Sequence, residues 1–223
     1  MVWEALVRIG LRCMANNRAT LQGIEAVVFD LDGTLVTSEL DFDRIRAEAG
    51  VPAGVPVLEF IDSTRGPERE RALEVLLEHE SRAARQCDLL PGARLVLERL
   101  RRRGLRLALL TRNSRASVEQ VVARFGFEFD CRVAREDAKP KPSPEPVLRI
   151  AAALDLRPNQ LLVVGDYIFD VEAGRAAGAR TALLRTNKKL PASPQADLIL
   201  EDLTGLLDYL PAHCKSSGSQ KSQ

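Results

Sequence analysis

"AVVFDLDGTLVTS", Ala26–Ser38, is the stretch on which the fold turns. Four apolar residues, Ala26 to Phe29, lead into Asp30; one more apolar residue, Asp32 and then Gly33-Thr34 follow. A short apolar run of this kind is the pattern of a strand buried on both faces. It stops on two carboxylates at i and i+2, which share a direction if the chain stays extended. Gly33 then permits a turn and a close backbone approach to a ligand. Two acids set together at a strand end need a chemical reason, and the rest of the chain has to supply it.

Working outward, five further runs have the same look: "LRLALLT" (105–111), "CRVA" (131–134), "LLVVGD" (161–166), "TALLR" (181–185) and "DLIL" (197–200). Helical patterns lie between them at 93–104, 114–126, 143–155 and 170–179. Gly104 and Gly126 stand where helices would be capped at their C-termini, and Ser143-Pro144 reads as an N-cap followed by proline at the first helical position. Strand and helix in alternation predict an α/β fold, a doubly wound parallel sheet with helices on both faces. One connection is too long for that scheme. About 55 residues separate the first strand from the next helix of the sheet, against the few expected. They read as three helices, 41–50, 56–63 and 67–86, with Val57, Leu58 and Ile61 on one face and Leu73, Leu76 and Leu77 on another. The division predicted is an N-terminal extension (1–23), an α/β core (24–35 and 91–212), a small inserted helical cap (36–90) and a disordered tail (213–223).

The chain has 223 residues, 45% hydrophobic and 28% charged, with a net charge of +1. That gives no global field toward nucleic acid or an anionic membrane, and no apolar run approaches the ~18 residues of a membrane helix. Cys13, Cys87, Cys131 and Cys214 are far apart, with no CxxC pair, which fits a reducing compartment and a cytoplasmic protein. Residues 1–23 carry three arginines against one acid in a loose helical spacing, compatible with a simple N-terminal helix or with organelle targeting. Met14 is an alternative start.

Ligands of open parallel sheets bind outside the carboxyl ends of the strands. The first strand delivers Asp30 and Asp32 there, the second Thr111, and "VVGDYIFD" Asp166 and Asp170. "AKPKPSPEP" offers Lys139 and Lys141 before a helix. Carboxylates crowded together repel one another, and burial makes this worse. A divalent cation resolves the conflict; hard oxygen ligands favour Mg²⁺, which in turn wants a phosphate. A lysine and a hydroxyl would hold the remaining phosphate oxygens, while one acid attacks and the other moves a proton.

With "FDLDGT", "LLTRN", "KPSPEP" and "VVGDxxxD" in order at strand ends, the chain resembles the haloacid dehalogenase superfamily, and within it the phosphatases of the phosphoglycolate phosphatase-like branch that carry a helical cap. The likeness runs over about residues 24–210. The resemblance implies a Rossmann-like core and Asp30 as a nucleophile that becomes an aspartyl-phosphate. It implies that Asp32 protonates the leaving oxygen and later activates water. It places Thr111 on phosphate with Asn113 as helper, and Lys141, a better match than Lys139, as the phosphate-side lysine. Mg²⁺ would be held by the Asp30 carboxylate, the Asp32 carbonyl, Asp166 and Asp170, the last through water. The substrate implied is a small phosphorylated metabolite, phosphoglycolate-like or a sugar phosphate. The competing readings are a phosphomutase or phosphotransferase with the same intermediate, and a non-catalytic module that binds Mg²⁺ and phosphate. Tyr167 departs from the small residue usual after the fourth-motif acid, and the cap is shorter than in many relatives.

Three features are assigned to structure or to the surface. "RLVLERLRRRGLR" (94–106), with six arginines and no aromatics, reads as a solvated helix face rather than a nucleic-acid surface. His79 and His213 are isolated and receive no role. Arg65, in "STRGPERE", is a candidate contact for a substrate anion. The protein is expected as a monomer or homodimer.

Overall fold

The computed structural model describes residues 21–37, 40–185 and 195–210. The readings made for residues 1–20 and for the tail, with Cys13, Met14, His213 and Cys214, lie outside them. Six strands form one sheet: β1 Ala26–Phe29, β2 Arg106–Leu110, β3 Cys131–Val133, β4 Leu161–Gly165, β5 Arg180–Leu184 and β6 Leu198–Leu200. All neighbouring pairs are parallel and the order is β3-β2-β1-β4-β5-β6. Each strand overlaps a predicted apolar run, its ends falling within two residues of the run's, and β5 starts one residue earlier than its run.

Because side chains alternate along a strand, β1 feeds two cores. Val27 and Phe29 join Leu107, Leu109, Leu162 and Val164 on one face. Ala26 and Val28 join Ala108, Leu110, Leu161 and Val163 on the other. The first face is covered by helices α4 (Ala93–Arg102), α5 (Arg115–Phe125) and α8 (Leu206–Tyr209); the second by α6 (Glu145–Ala153) and α7 (Ile168–Ala177). β1 is fully buried from end to end, which explains why its run is continuously apolar rather than alternating.

Three helices lie between β1 and α4: α1 (Phe42–Ala49), α2 (Val57–Ser63) and α3 (Pro67–Gln86). Asp41 caps α1 by accepting from the Arg44 amide at 3.0 Å, and Gly50 ends it in the left-handed conformation. These helices make an apolar cluster of their own around Ile45, Ala49, Val57, Ile61, Ala72 and Leu76. The faces differ in detail from expectation. Leu58 and Leu73 are only partly buried at the edge of this cluster, and Leu77 is exposed. The buried stripe of α3 runs instead through Ala72, Leu76, His79, Glu80, Ala83 and Ala84, a 3.6-residue period that includes two polar residues because the far end of α3 packs on α5.

The arginine-rich segment also differs from a plain solvated face. Arg94 and Arg101 donate to the carbonyls of Phe125 and Glu128, and Arg103 to those of Leu207 and Leu210. These guanidiniums occupy backbone acceptors of neighbouring segments and so help lock α4 to its surroundings. No helix among the described residues is long and apolar enough to cross a membrane.

The sheet order positions the site. From β1 the chain builds outward through β2 and β3, then crosses back to β4 on the opposite side of β1. The connections therefore diverge at β1, and a crevice opens at the carboxyl ends of β1 and its two neighbours.

Candidate active site

Beyond β1 the ladder continues for one residue: the Asp30 amide donates to the Val164 carbonyl at 2.9 Å. The chain then turns tightly, with the amides of Leu35 and Val36 both donating to the Leu31 carbonyl. Gly33 sits in this turn at φ +75°, and a Cβ there would lie 2.2 Å from an Asp166 carboxylate oxygen. Gly165, at the end of β4, is constrained in the same way: a Cβ would meet Asp170 Cγ at 2.1 Å. Glycine at both positions is what allows the strand ends to carry their acids so close together.

Asp30, Asp166 and Asp170 each present an oxygen to a cluster in which all three atoms lie within 4.8 Å of one another. Lys141 reaches this cluster from the loop before α6. Its Nζ donates to Asp30 Oδ1 at 2.6 Å, to Asp170 Oδ1 at 2.5 Å and to the Leu110 carbonyl at 3.3 Å. Lys141 is buried, whereas Lys139 is exposed. The Tyr167 amide donates to Asp170 Oδ2 at 3.2 Å. Thr111 is buried at the end of β2, and its hydroxyl accepts from the Asn113 amide at 3.1 Å. The Asn113 side chain donates to Asp32 Oδ2 at 2.6 Å. Asn113 thus holds Asp32 as well as the Thr111 turn, and the Asp32 carboxylate stands apart from the three-acid cluster.

The electrostatics follow from burial. Desolvation drives the Asp30 carboxyl well above the usual carboxylate range; Asp170 and Asp166 add to this, and Lys141 opposes it. Burial lowers the Lys141 ammonium, but Asp170 and Asp30 together outweigh it and hold the group above the ordinary lysine range. Burial pushes Asp32 up to about 6; the Asn113 hydrogen bond works against this, and the charge of Glu80 adds to it. Carboxylates set this close together, with Asp30 and Asp170 buried, repel one another unless positive charge stands among them. A donor set made of hard carboxylate oxygens fits Mg²⁺.

The acids and Lys141 line a cavity of about 510 Å³. Several of its residues carried no signal in the sequence. Arg112 donates to the Lys141 carbonyl at 2.8 Å and to Glu59 of α2 at 2.7 Å, with its guanidinium 4.9 Å from the centre of the Phe169 ring. Glu80 of α3, also at the cavity, accepts from both terminal nitrogens of Arg135 and from the Ser114 amide that starts α5. Arg65, the anticipated anion contact, is exposed and does not line the cavity; the arginines that do are Arg46 and Arg112. His79 is buried and bonds to Glu48 of α1 at 2.7 Å, away from the acids.

Comparison with known proteins adds an independent line. A family model described as haloacid dehalogenase-like hydrolase matches residues 24–178. A phosphoglycolate phosphatase of Cupriavidus necator is 34% identical over 84% of this chain and 91% of its own length. An N-acetylmuramic acid 6-phosphate phosphatase of Pseudomonas aeruginosa is 28% identical over 84% of this chain and 95% of its own. Among solved structures, a hydrolase from Pseudomonas syringae superposes with a TM-score of 0.70 at 24% identity, covering 84% of this chain and 97% of that one, a likeness of fold. The family model spans the strands and loops that bring the acids, the lysine and the threonine together, and the chain belongs to the haloacid dehalogenase-like hydrolase family.

Proposed function

We propose that this hydrolase is a Mg²⁺-dependent phosphatase that cleaves small phosphomonoesters through an aspartyl-phosphate on Asp30. The observation that carries the reading is buried Lys141, its Nζ bonded to both Asp30 and Asp170 of a three-acid cluster. Lys141 sets an ammonium beside the Asp30 oxygen, where the anionic phosphoryl group would lie. Relatives named as phosphatases support the same class of reaction.

Asp30, Asp166, Asp170 and the Asp32 carbonyl are the groups that would hold Mg²⁺, which when bound offsets the negative charge of the acids and of the phosphoryl oxygens. Lys141 and Thr111 hold the other phosphoryl oxygens. An Asp30 oxygen attacks phosphorus while the bond from phosphorus to the ester oxygen breaks, and the departing oxygen takes the proton of Asp32. A side chain raised to about 6 carries that proton in slightly acid conditions. Asp32, now ionised, accepts a proton from water as the water oxygen attacks phosphorus. Its bond to Asp30 breaks, freeing phosphate and restoring both acids. Asn113 orients Asp32 for both transfers. Residues 36–90 act as a cap over this site, with Phe42, Arg46, Val57, Leu58, Leu76 and Glu80 facing it.

Phosphate release from a panel of phosphomonoesters, with Mg²⁺ and with EDTA, tests this. Release is expected to require Mg²⁺ and to fall by at least about 10³-fold in Asp30→Asn. Release that is unaffected by EDTA, or that survives in Asp30→Asn, overturns the mechanism.

A further inference from the structure

The cavity's lining is of two kinds. The acids, Thr111 and Lys141 make up one of them. The remainder is walled by Phe42, Val57, Leu58 and Leu76 of the inserted helices and by Tyr167 and Phe169 at the start of α7. Pockets of roughly 300–1,000 Å³ enclose drug-sized ligands, so about 510 Å³ leaves space well beyond a phosphoryl group and two carbons.

The aromatic part of that wall is organised. Tyr167 and Phe169 meet edge to face, with centroids 5.0 Å apart and planes at 82°. The Arg112 guanidinium lies against the Phe169 ring. Ring contacts of this kind hold the wall in one geometry. Yet Tyr167 is 49% exposed and Phe42 is 48% exposed. Large rings left open at the mouth of a pocket are surface that a ligand can cover.

Charge points the same way. Among the described residues that line the cavity, each cation already has a carboxylate. Arg46 is paired with Asp43, Arg112 with Glu59, and Lys141 with Asp30 and Asp170. Glu80, which also lines the space, is itself paired with Arg135. A substrate with a second anionic group would have to displace Asp43 or Glu59 from its arginine, or enter without a counter-charge.

We propose that the preferred substrate is a phosphomonoester whose alcohol carries an uncharged, planar apolar body, seated between Phe42 and the Tyr167–Phe169 pair, rather than a phosphorylated short carboxylic acid. This rests on the phosphatase reading for the position of the phosphoryl group. The seat itself is a property of the wall and is open to a separate measurement.

The probes are 2-phenylethyl phosphate, glycerol 1-phosphate and 2-phosphoglycolate, alkyl esters that avoid the activated leaving group of an aryl phosphate. The expected kcat/KM for 2-phenylethyl phosphate exceeds that for 2-phosphoglycolate by about tenfold. Phe42→Ser and Tyr167→Ala are each expected to cut the ratio of the phenylethyl ester to glycerol 1-phosphate by about fivefold. Equal or better turnover of 2-phosphoglycolate, or a ratio that neither substitution moves, overturns the proposal. Calorimetric binding of the same three esters to Asp30→Asn reads the seat without turnover. If wild-type protein hydrolyses none of them, yet the phenylethyl ester still binds tightest, the phosphatase reading falls and the seat stands. If 2-phosphoglycolate binds as tightly, the seat falls whatever the turnover.

Discussion

The carboxyl edge of the sheet and the inserted helices at 40–86 face each other across one cavity, but they are held together by different means. At the sheet edge the acids and Thr111 follow directly from strand ends: Asp30 and Asp32 after β1, Thr111 after β2, Asp166 and Asp170 after β4. The inserted helices have their own apolar cluster, yet they reach the sheet's side of the cavity through charged contacts over long separations in sequence. Glu80 meets Arg135 and Glu59 meets Arg112. On the proposed reading the first side carries the chemistry, and selectivity is shared between the inserted helices and the Tyr167–Phe169 pair. Substitutions should therefore divide into those that stop the reaction and those that alter what enters or how firmly the helices sit.

The largest effect is expected at Lys141, where the two roles coincide. In Lys141→Met the ammonium is lost but Asp30 and Asp170 stay buried. We expect phosphate release to fall by about 10³-fold and stability in EDTA at pH 7.5 to drop by about 4 kcal/mol, since an uncompensated buried charge remains. The sign of the pH dependence is a sharper check. Loss of Lys141 removes the largest influence that lowers the Asp30 carboxyl. An acid whose folded pKa is raised is least costly when protonated, so the penalty should shrink as pH falls through that raised value. Urea unfolding at pH 5 and pH 7.5 measures it. A penalty that grows toward pH 5 would contradict the paired arrangement.

Glu80→Ala strikes the contact between the two regions. The Glu80 side chain is 2% exposed and its Arg135 partner 11%, so removal leaves a largely buried guanidinium without its carboxylate and the Ser114 amide without its acceptor. About 3 kcal/mol of stability should be lost. Denaturant melts would report it, and a change within about 0.5 kcal/mol would mean that the pair does not anchor α3.

How much of this was legible in the sequence divides along the same line. The six strands and the core helices could be read because a buried parallel strand needs a continuous apolar run, and because Gly126 and Ser143 mark helix ends locally. The acids, Thr111 and Lys141 could be read because each sits at a strand end or in a proline-rich loop with a recognisable local pattern. Glu80, Arg112 and Arg135 could not. Their partners lie 53 or 55 residues away, and nothing near them in the chain specifies the pairing. A partial signal existed in α3, where Leu76, His79, Glu80 and Ala83 share helical spacing. Treating that stripe as purely apolar placed Leu77 on the buried face and left His79 and Glu80 out. Arg65 was singled out for its charge and loop position, but it does not line the cavity that holds the acids, whereas the unremarked Arg112, next to Thr111, does.

Asn113→Ala separates orientation from chemistry by a smaller amount. The Asn113 hydrogen bond is what lowers Asp32 most against its burial. Without it the Asp32 carboxyl should rise above about 6, and the alkaline limb of kcat/KM, where Asp32 loses the proton it donates, should move to higher pH. A limb that stays in place or moves to lower pH would mean that another group sets it.

The smallest structural effect, and the most direct probe of the boundary between the two regions, is expected from Glu59→Gln. Glu59 is 47% exposed, so losing its pair with Arg112 should change stability by less than about 0.5 kcal/mol. The guanidinium would nevertheless be released from its carboxylate at the edge of the cavity while keeping its bond to the Lys141 carbonyl and its place over Phe169. An unpaired cation there favours an anionic substituent. Turnover of 2-phosphoglycolate should therefore rise relative to 2-phenylethyl phosphate, by about threefold in the ratio of kcat/KM. A ratio unchanged in Glu59→Gln would show that Arg112 does not govern the charge of the substrate body and that selection rests on the apolar wall alone.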